Sequence, residues 1–103
     1  MKAIKTEKAP AAIGPYSQAI EVNGFVFASG QIPINPATGE FVEGGIKEQT
    51  RQALNNAREI MRAAGLDLNN VIKTSVMLAD IKYFGEMNEV YAEFFNEQYK
   101  HYK

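Results

Sequence analysis

The sequence predicts a single α+β domain in which a strand hairpin is followed by a helix, another strand and a second helix. Three observations predict this class: Asn23-Gly24 separates two short apolar runs, apolar residues recur every three or four positions over 46–64, and 71–78 alternates before a second helical pattern. A chain of 103 residues suits one domain.

The hairpin is predicted by its turn. Residues 19–22 and 25–28 are short runs rich in strand formers, and Asn23-Gly24 lies between them. A two-residue type I′ turn needs positive φ at both central positions, which Asn and Gly adopt most readily. A second turn is predicted at 35–39, and Phe41-Val42 is interpreted as a short third strand.

The long helix is predicted over residues 46–64. Its apolar and small side chains form one stripe, and Arg51, Arg58 and Arg62 lie off that stripe, where we expect them to face solvent. Gly65 is expected just beyond the helix, because helices often end at a glycine in the left-handed conformation.

The last part of the predicted fold is a strand at 71–78 and a second helix that Asp80 would cap. The inner side of this helix is expected to carry Phe84, Met87, Tyr91, Phe94 and Phe95. The strand–helix–strand order implies a right-handed crossover with parallel strands. Added to the hairpin, it predicts a mixed β-sheet with two helices on one face.

The other face of that sheet would be uncovered and apolar. It is expected to present Phe25, Phe27, Val76 and Leu78, which are poor residues to leave in water. We therefore expect the chain to form an oligomer.

The composition excludes several classes. Apolar residues make up 46% and charged residues 22%, as in ordinary soluble proteins. The net charge of −1 argues against a nucleic-acid partner, which would need clustered Lys and Arg. No cysteine, secretory signal or membrane-length apolar run is present, so we expect a cytoplasmic protein without a membrane partner.

The residues show no familiar catalytic constellation. His101, the single histidine, lies in the polar tail, where solvation is the expected state, and the carboxylates lie on predicted turns and exposed faces. No metal site or cofactor site is predicted. Candidate binding residues are Tyr16 beside a rigid Gly-Pro turn, the Ser29-Gly30 step that ends a strand, and Asn88 on the second helix. Taken singly, each is more common as a packing or surface residue.

Longer stretches carry a resemblance to a known family. They are TEKAPAAIGPYSQAI at 6–20, FVFASGQIPINPATGE at 25–40, EQTRQALNNAREIMRAAG at 48–65, VIKTSVML followed by ADI at 71–81, and NEVYAEFF at 88–95. From about Thr6 to Phe95, in order and spacing, the chain resembles the RidA (YjgF) family of enamine/imine deaminases.

The resemblance implies a chorismate-mutase-like (YjgF-like) fold assembled as a homotrimer, with sites in clefts between subunits. Members hydrolyse 2-iminobutanoate, 2-iminopropanoate or their enamine tautomers to 2-oxo acids and ammonia, without cofactor or metal. By position, Tyr16 would line the pocket, Ser29 and Gly30 would form its floor, and Asn88 would lie at its edge.

The chain also departs from the family pattern. Family members continue into a Pro-x-Arg-Ser-type segment and two more strands, which supply an arginine for the substrate carboxylate and a glutamate for the attacking water. Residues 1–103 contain no equivalent of either, so the domain is expected to be C-terminally truncated and its turnover weak or absent. The alternatives are a non-catalytic small-molecule or protein-binding module and, more weakly, a translation inhibitor or endoribonuclease.

Overall fold

The computed structural model describes residues 1–95. In chain order the elements are β1 (Lys2–Ile4), β2 (Ala19–Val22), β3 (Phe25–Ala28), β4 (Ile34–Asn35), β5 (Glu40–Phe41), α1 (Ile46–Ala63), two 3-10 turns (Leu68–Asn70 and Ile81–Tyr83) and α2 (Phe84–Phe94). The predicted α+β class is confirmed. His101 and the polar tail lie outside the described residues.

The predicted hairpin is the centre of the main sheet. β2 and β3 pair antiparallel from Ala19 opposite Ala28 to Val22 opposite Phe25. Asn23 and Gly24 have φ values of 52° and 81°, as a type I′ turn requires. β1, which the sequence pattern did not reveal, pairs antiparallel with the other edge of β2. The second hairpin joins β4 to β5, close to the strand predicted at 41–42.

The two faces of this sheet differ sharply in burial. Ile4 and Ala19 are buried on the face packed against α1, and Val26 packs against the same cluster. The strand alternation places Ile20, Val22, Phe25 and Phe27 on the opposite face. Phe25 is 55% and Phe27 62% exposed, so the described residues leave the outer face largely open, as expected from the sequence.

Helix α1 ends as predicted and supplies much of the core. The Glu48 carboxylate accepts a hydrogen bond from the Gly45 N–H at 2.9 Å, which satisfies one donor at the helix start. Ile60 and Met61 are buried against the sheet. Gly65 follows the helix with φ of 78°.

A buried amide on α1 holds the second hairpin, a role that the sequence pattern did not reveal. Asn56 is 1% exposed and donates to the carbonyl oxygens of Ile32 at 3.1 Å and Ile34 at 2.9 Å. Its own carbonyl oxygen accepts from Gln52 at 2.8 Å. The Asn56 side chain therefore fastens the second hairpin to α1 through two hydrogen bonds.

Helix α2 packs beside α1 and runs in the same direction. Asp80 accepts from the Lys82 N–H at 2.9 Å, so it caps the 3-10 turn that leads into α2. Met87 and Tyr91 are buried as expected, together with Val90, whereas Phe84 is exposed. The ion pairs Lys47–Glu89 at 2.6 Å and Arg51–Glu93 at 2.9 Å join the helices at equal spacing.

One expected strand pairing is not seen among the described residues. Within the described residues, 71–78 has only an isolated bridge position at Lys73, and every strand pair of the two sheets is antiparallel. The expected parallel partnership between 71–78 and the hairpin is therefore not part of the sheet. Alternation in a sequence measures a preference for extended backbone, but a strand also needs a neighbour at hydrogen-bonding distance.

Arg58 corrects a second expectation. Its guanidinium lies 5.3 Å from the centre of the Phe94 ring and donates to the Asn55 side chain at 2.6 Å. The side chain is half-buried, and its Nε atom is buried without a hydrogen-bond partner among the described residues. Arg58 therefore bridges the two helices, and the expectation that it faces solvent is wrong. The reason is that its long apolar stem and flat cation pack well on an aromatic ring.

Candidate functional site

Tyr16 is placed by a tight turn. Gly14 has φ of 110°, which favours glycine, and the Tyr16 N–H donates to the Gly14 carbonyl at 2.9 Å. The phenol oxygen of Tyr16 accepts from the Ile13 N–H at 3.3 Å. The side chain is 54% exposed, so its ring stands at the surface with its oxygen tied to the loop.

Ser29 is fixed where β3 ends. Its N–H donates to the Gln18 carbonyl at 2.9 Å, which carries the pairing one step past Ala28. Its hydroxyl donates to the Ser17 carbonyl at 2.6 Å. The side-chain amide of Gln31 donates to the carbonyls of Ser29 at 3.1 Å and Gly30 at 3.3 Å. The Ser29-Gly30 step is therefore held by hydrogen bonds to the carbonyls of Ser17 and Gln18 and from the side chain of Gln31.

These two residues share one open hollow of about 470 Å³. Its lining is Pro15, Tyr16, Ser17, Ile20, Phe27, Ala28 and Ser29. Gly30 follows directly but does not line the hollow, and a Cβ at that position would meet no atom within 4 Å. Asn88 is half-buried on α2 and also lies outside the lining. One chain thus brings together Tyr16 and Ser29 of the four predicted site residues.

Gln18 organises the loop that leads to the hollow, a role that the sequence pattern did not reveal. Only 5% exposed, it accepts from the Thr6 N–H at 2.7 Å and donates to the carbonyls of Thr6 at 3.1 Å, Ala9 at 3.2 Å and Pro10 at 2.8 Å. A glutamine directly before a strand is the available signal, but only the fold shows that its amide is buried. Its backbone carbonyl holds Ser29, so Gln18 links both ends of the site.

The hollow has an apolar and hydroxyl-bearing lining without charge. No Lys, Arg, Asp or Glu is among its lining residues. Burial raises the pKa of the Tyr91 phenol, which shares a 2.6 Å hydrogen bond with Thr74; neither residue lines this hollow. Within residues 1–95 no three His, Asp or Glu side chains come together as metal ligands. The hollow by itself can take hydrogen-bonding groups and apolar surface.

A second hollow of about 410 Å³ lies between the extended segment and α2. Its lining consists of Val76, Leu78, Ile81, Phe84 and Met87. This lining is apolar and contains no predicted site residue. No helix of the described chain is both long and apolar enough to cross a membrane.

Sequence comparison identifies the family. The family described as Endoribonuclease L-PSP matches residues 6–103, nearly the whole chain. The chain belongs to this family. The resemblance to the RidA (YjgF) family is confirmed, because the solved structures similar to this chain include RidA from an Antarctic Psychrobacter bacterium, at 42% identity over 99% of this chain.

Two relatives show the range of names within the family. A 2-iminobutanoate/2-iminopropanoate deaminase of Mus musculus is 53% identical over 94 residues, which cover 91% of this chain and 70% of that protein. A RutC family protein of Pyrococcus horikoshii is 60% identical over 94 residues, covering 91% of this chain and 75% of that protein.

A solved structure agrees with the fold. The structure of Escherichia coli TdcF with bound serine superposes with a TM-score of 0.90 at 43% identity, covering 99% of this chain and 80% of that one. Conservation of the backbone at this level shows that the arrangement of the hairpin and the two helices is that of the family.

Proposed function

We propose that the hollow beside Tyr16 and Ser29 binds 2-imino acids or their enamine tautomers, and that its chemistry is their hydrolysis to 2-oxo acids and ammonia. The observation that carries the proposal is that Tyr16, which precedes β2, and Ser29, which follows β3, line one hollow. Relatives named as 2-iminobutanoate/2-iminopropanoate deaminases, at 53% and 49% identity, support the same substrate class.

The reaction needs a water molecule as the only second reactant. Water adds to the imine carbon, the C=N double bond becomes a single bond, and ammonia leaves as the C=O bond forms. The hydroxyl groups of Tyr16 and Ser29 are suited to orient the substrate by hydrogen bonds. Neither is a strong acid or base, so they contribute positioning rather than proton transfer.

We propose a homotrimer in the cytoplasm as the working form. The exposed Phe25 and Phe27 on the outer sheet face support burial against another copy, since large apolar patches on soluble proteins commonly mark interfaces. In such an assembly Gly30 would complete the floor of the site and Asn88 would lie at its edge.

Turnover by the 103-residue polypeptide is proposed to be weak. The lining has no cation to bind the substrate carboxylate and no carboxylate to activate water. General acid–base assistance typically contributes about 10²–10⁴-fold, and this hollow offers none of its own.

The test couples the protein to a threonine dehydratase with threonine and follows the release of 2-oxobutanoate. We expect a small acceleration that falls further in Tyr16→Phe and stays unchanged in the matched control Tyr83→Phe, since Tyr83 lies outside the hollow. Acceleration equal to that of a longer relative would show that weak turnover is wrong. Equal rates for Tyr16→Phe and Tyr83→Phe would show that the hollow takes no part in the hydrolysis.

A non-catalytic binding module is the second candidate, and the uncharged lining favours it. Saturable binding of 2-oxobutanoate without any acceleration of its release would establish this alternative. The family description also names an endoribonuclease. RNA degradation that persists through further purification and is lost in Tyr16→Phe would support that activity. The net charge of −1 argues against it, because RNA binding usually relies on Lys and Arg contacts to phosphates.

A further inference from the structure

The hydrogen-bond polarity of the hollow is fixed at Ser29. A serine hydroxyl has one proton to donate and two lone pairs to accept with. The Ser29 hydroxyl lies 2.6 Å from the Ser17 carbonyl oxygen, which can only accept, so the proton of Ser29 is already used. What Ser29 retains for a ligand is an acceptor.

Tyr16 offers a ligand a hydrogen-bond donor, the opposite of what Ser29 offers. Its phenol oxygen accepts from the Ile13 N–H, and within the described residues no acceptor takes the phenol proton. That proton is therefore available for a ligand oxygen. The hollow thus presents one acceptor at Ser29 and one donor at Tyr16 on the same lining.

We propose that Ser29 is the specificity-determining residue of this site and accepts a hydrogen bond from the nitrogen of the ligand, so that the site prefers nitrogen-bearing acids to 2-oxo acids of the same skeleton. This inference rests on the proposed function and refines it. An imine, iminium or amino group carries an N–H that suits the lone pairs of Ser29, whereas a ketone oxygen has only lone pairs of its own to present.

Such a preference has a consequence for turnover. The substrate loses its N–H when hydrolysis replaces nitrogen by oxygen, and the contact with Ser29 is lost in the same step. The product is then bound more weakly than the substrate, which favours its release.

A purely structural role for the Ser29 hydroxyl is the competing explanation. The backbone N–H of Ser29 already closes the strand end on the Gln18 carbonyl at 2.9 Å. The hydroxyl adds a second bond to the neighbouring carbonyl of Ser17. If it served only to hold the loop, its removal would alter the binding of all ligands alike.

The experiment compares two ligands that share a carbon skeleton and a carboxylate. Dissociation constants of 2-aminobutanoate and 2-oxobutanoate are measured by NMR titration for the native chain. The same is done for Ser29→Ala, Tyr16→Phe and the matched control Ser75→Ala, an exposed serine outside the hollow. Circular dichroism verifies that each variant folds.

We expect the native chain to bind 2-aminobutanoate about tenfold more tightly, the usual effect of one charge-assisted hydrogen bond. Ser29→Ala should bring the ratio of the two constants close to one. Tyr16→Phe should weaken both ligands and preserve the ratio, and Ser75→Ala should change neither.

Equal affinities in the native chain overturn the inference, whatever the variants do. A preference that persists in folded Ser29→Ala overturns it as well. Imine hydrolysis without a preference for 2-aminobutanoate leaves the proposed function standing and refutes only the role of Ser29. Absence of both ligand binding and turnover refutes both.

Discussion

Replacing Gln18 by methionine tests how the loop before the hollow is held. Methionine keeps the length and most of the volume of the side chain but removes every hydrogen bond of its amide. The change leaves the N–H of Thr6 and the carbonyls of Thr6, Ala9 and Pro10 without their side-chain partner. The residue is 5% exposed, so solvent reaches these groups poorly.

The size of the effect follows from which groups are buried. The bond to Ala9 lies in a buried environment, whereas those to Thr6 and Pro10 are partly buried. A buried polar group without a partner costs about 1–3 kcal/mol, and partly exposed groups recover some of that from water. We expect the free energy of unfolding to fall by about 2–4 kcal/mol, a large share of the about 5–15 kcal/mol of a typical domain.

Urea denaturation followed by circular dichroism measures the loss of unfolding free energy, with the dependence on urea concentration (the m value) held the same for native and variant proteins. Gln31→Met is the matched control, because among residues 1–95 the side-chain amide of Gln31 donates only to the nearby carbonyls of Ser29 and Gly30. We expect the control to lose about 0.5 kcal/mol or less, as for ordinary partly exposed sites. Equal losses in the two variants would refute the reasoning that the buried amide of Gln18 fixes this loop.

Three further predictions concern the turn, a buried phenol and the surface ion pairs. Gly24→Ala should lower the unfolding free energy by about 1 kcal/mol, because Gly24 has φ of 81°. Gly85→Ala should raise it by about 0.5 kcal/mol, because alanine is a better helix former within α2. Urea midpoints that shift in the same direction in both variants would contradict this prediction. The pKa of Tyr91 is raised by burial, so its contribution to stability is complete below the ordinary pKa and is lost as the pH rises through the folded pKa. The urea midpoint should fall as the pH rises above the ordinary tyrosine pKa of about 10. The fall should be smaller in Tyr91→Phe, and an equal fall in both proteins would contradict this prediction. Glu93→Gln breaks the exposed pair with Arg51 and should cost at most about 0.5 kcal/mol, with no cost left in 1 M salt; a salt-independent loss would point to packing instead.

The fold was predictable where local signals were strong. Asn23-Gly24 indicated the turn, the spacing of apolar residues indicated α1, and Gly65 marked its end, all of which the structure confirms. The parallel pairing of 71–78 was not obtained, because alternation says nothing about which strand lies alongside. β1 was missed since three residues are too few for a periodic signal.

The candidate site was predictable only in part, for a related reason. Tyr16 and Ser29 were identified as polar loop residues, and the antiparallel register of β2 and β3 then placed them on one hollow. Asn88 was predicted beside them, but α2 holds it away from the hollow within one chain. Its place at the edge of the site stays a prediction that depends on assembly.

The sequence by itself determined the α+β class, the hairpin turn and the two helices, because each follows from backbone preferences and side-chain spacing within a few neighbouring residues. Only the tertiary structure decided that Gln18 and Asn56 are buried amides, that Arg58 lies on Phe94, and that the Ser29 proton belongs to Ser17. The physical reason is that a polar side chain takes its role from the groups it meets across the fold, and those groups lie from 12 to 36 positions away in most of these contacts.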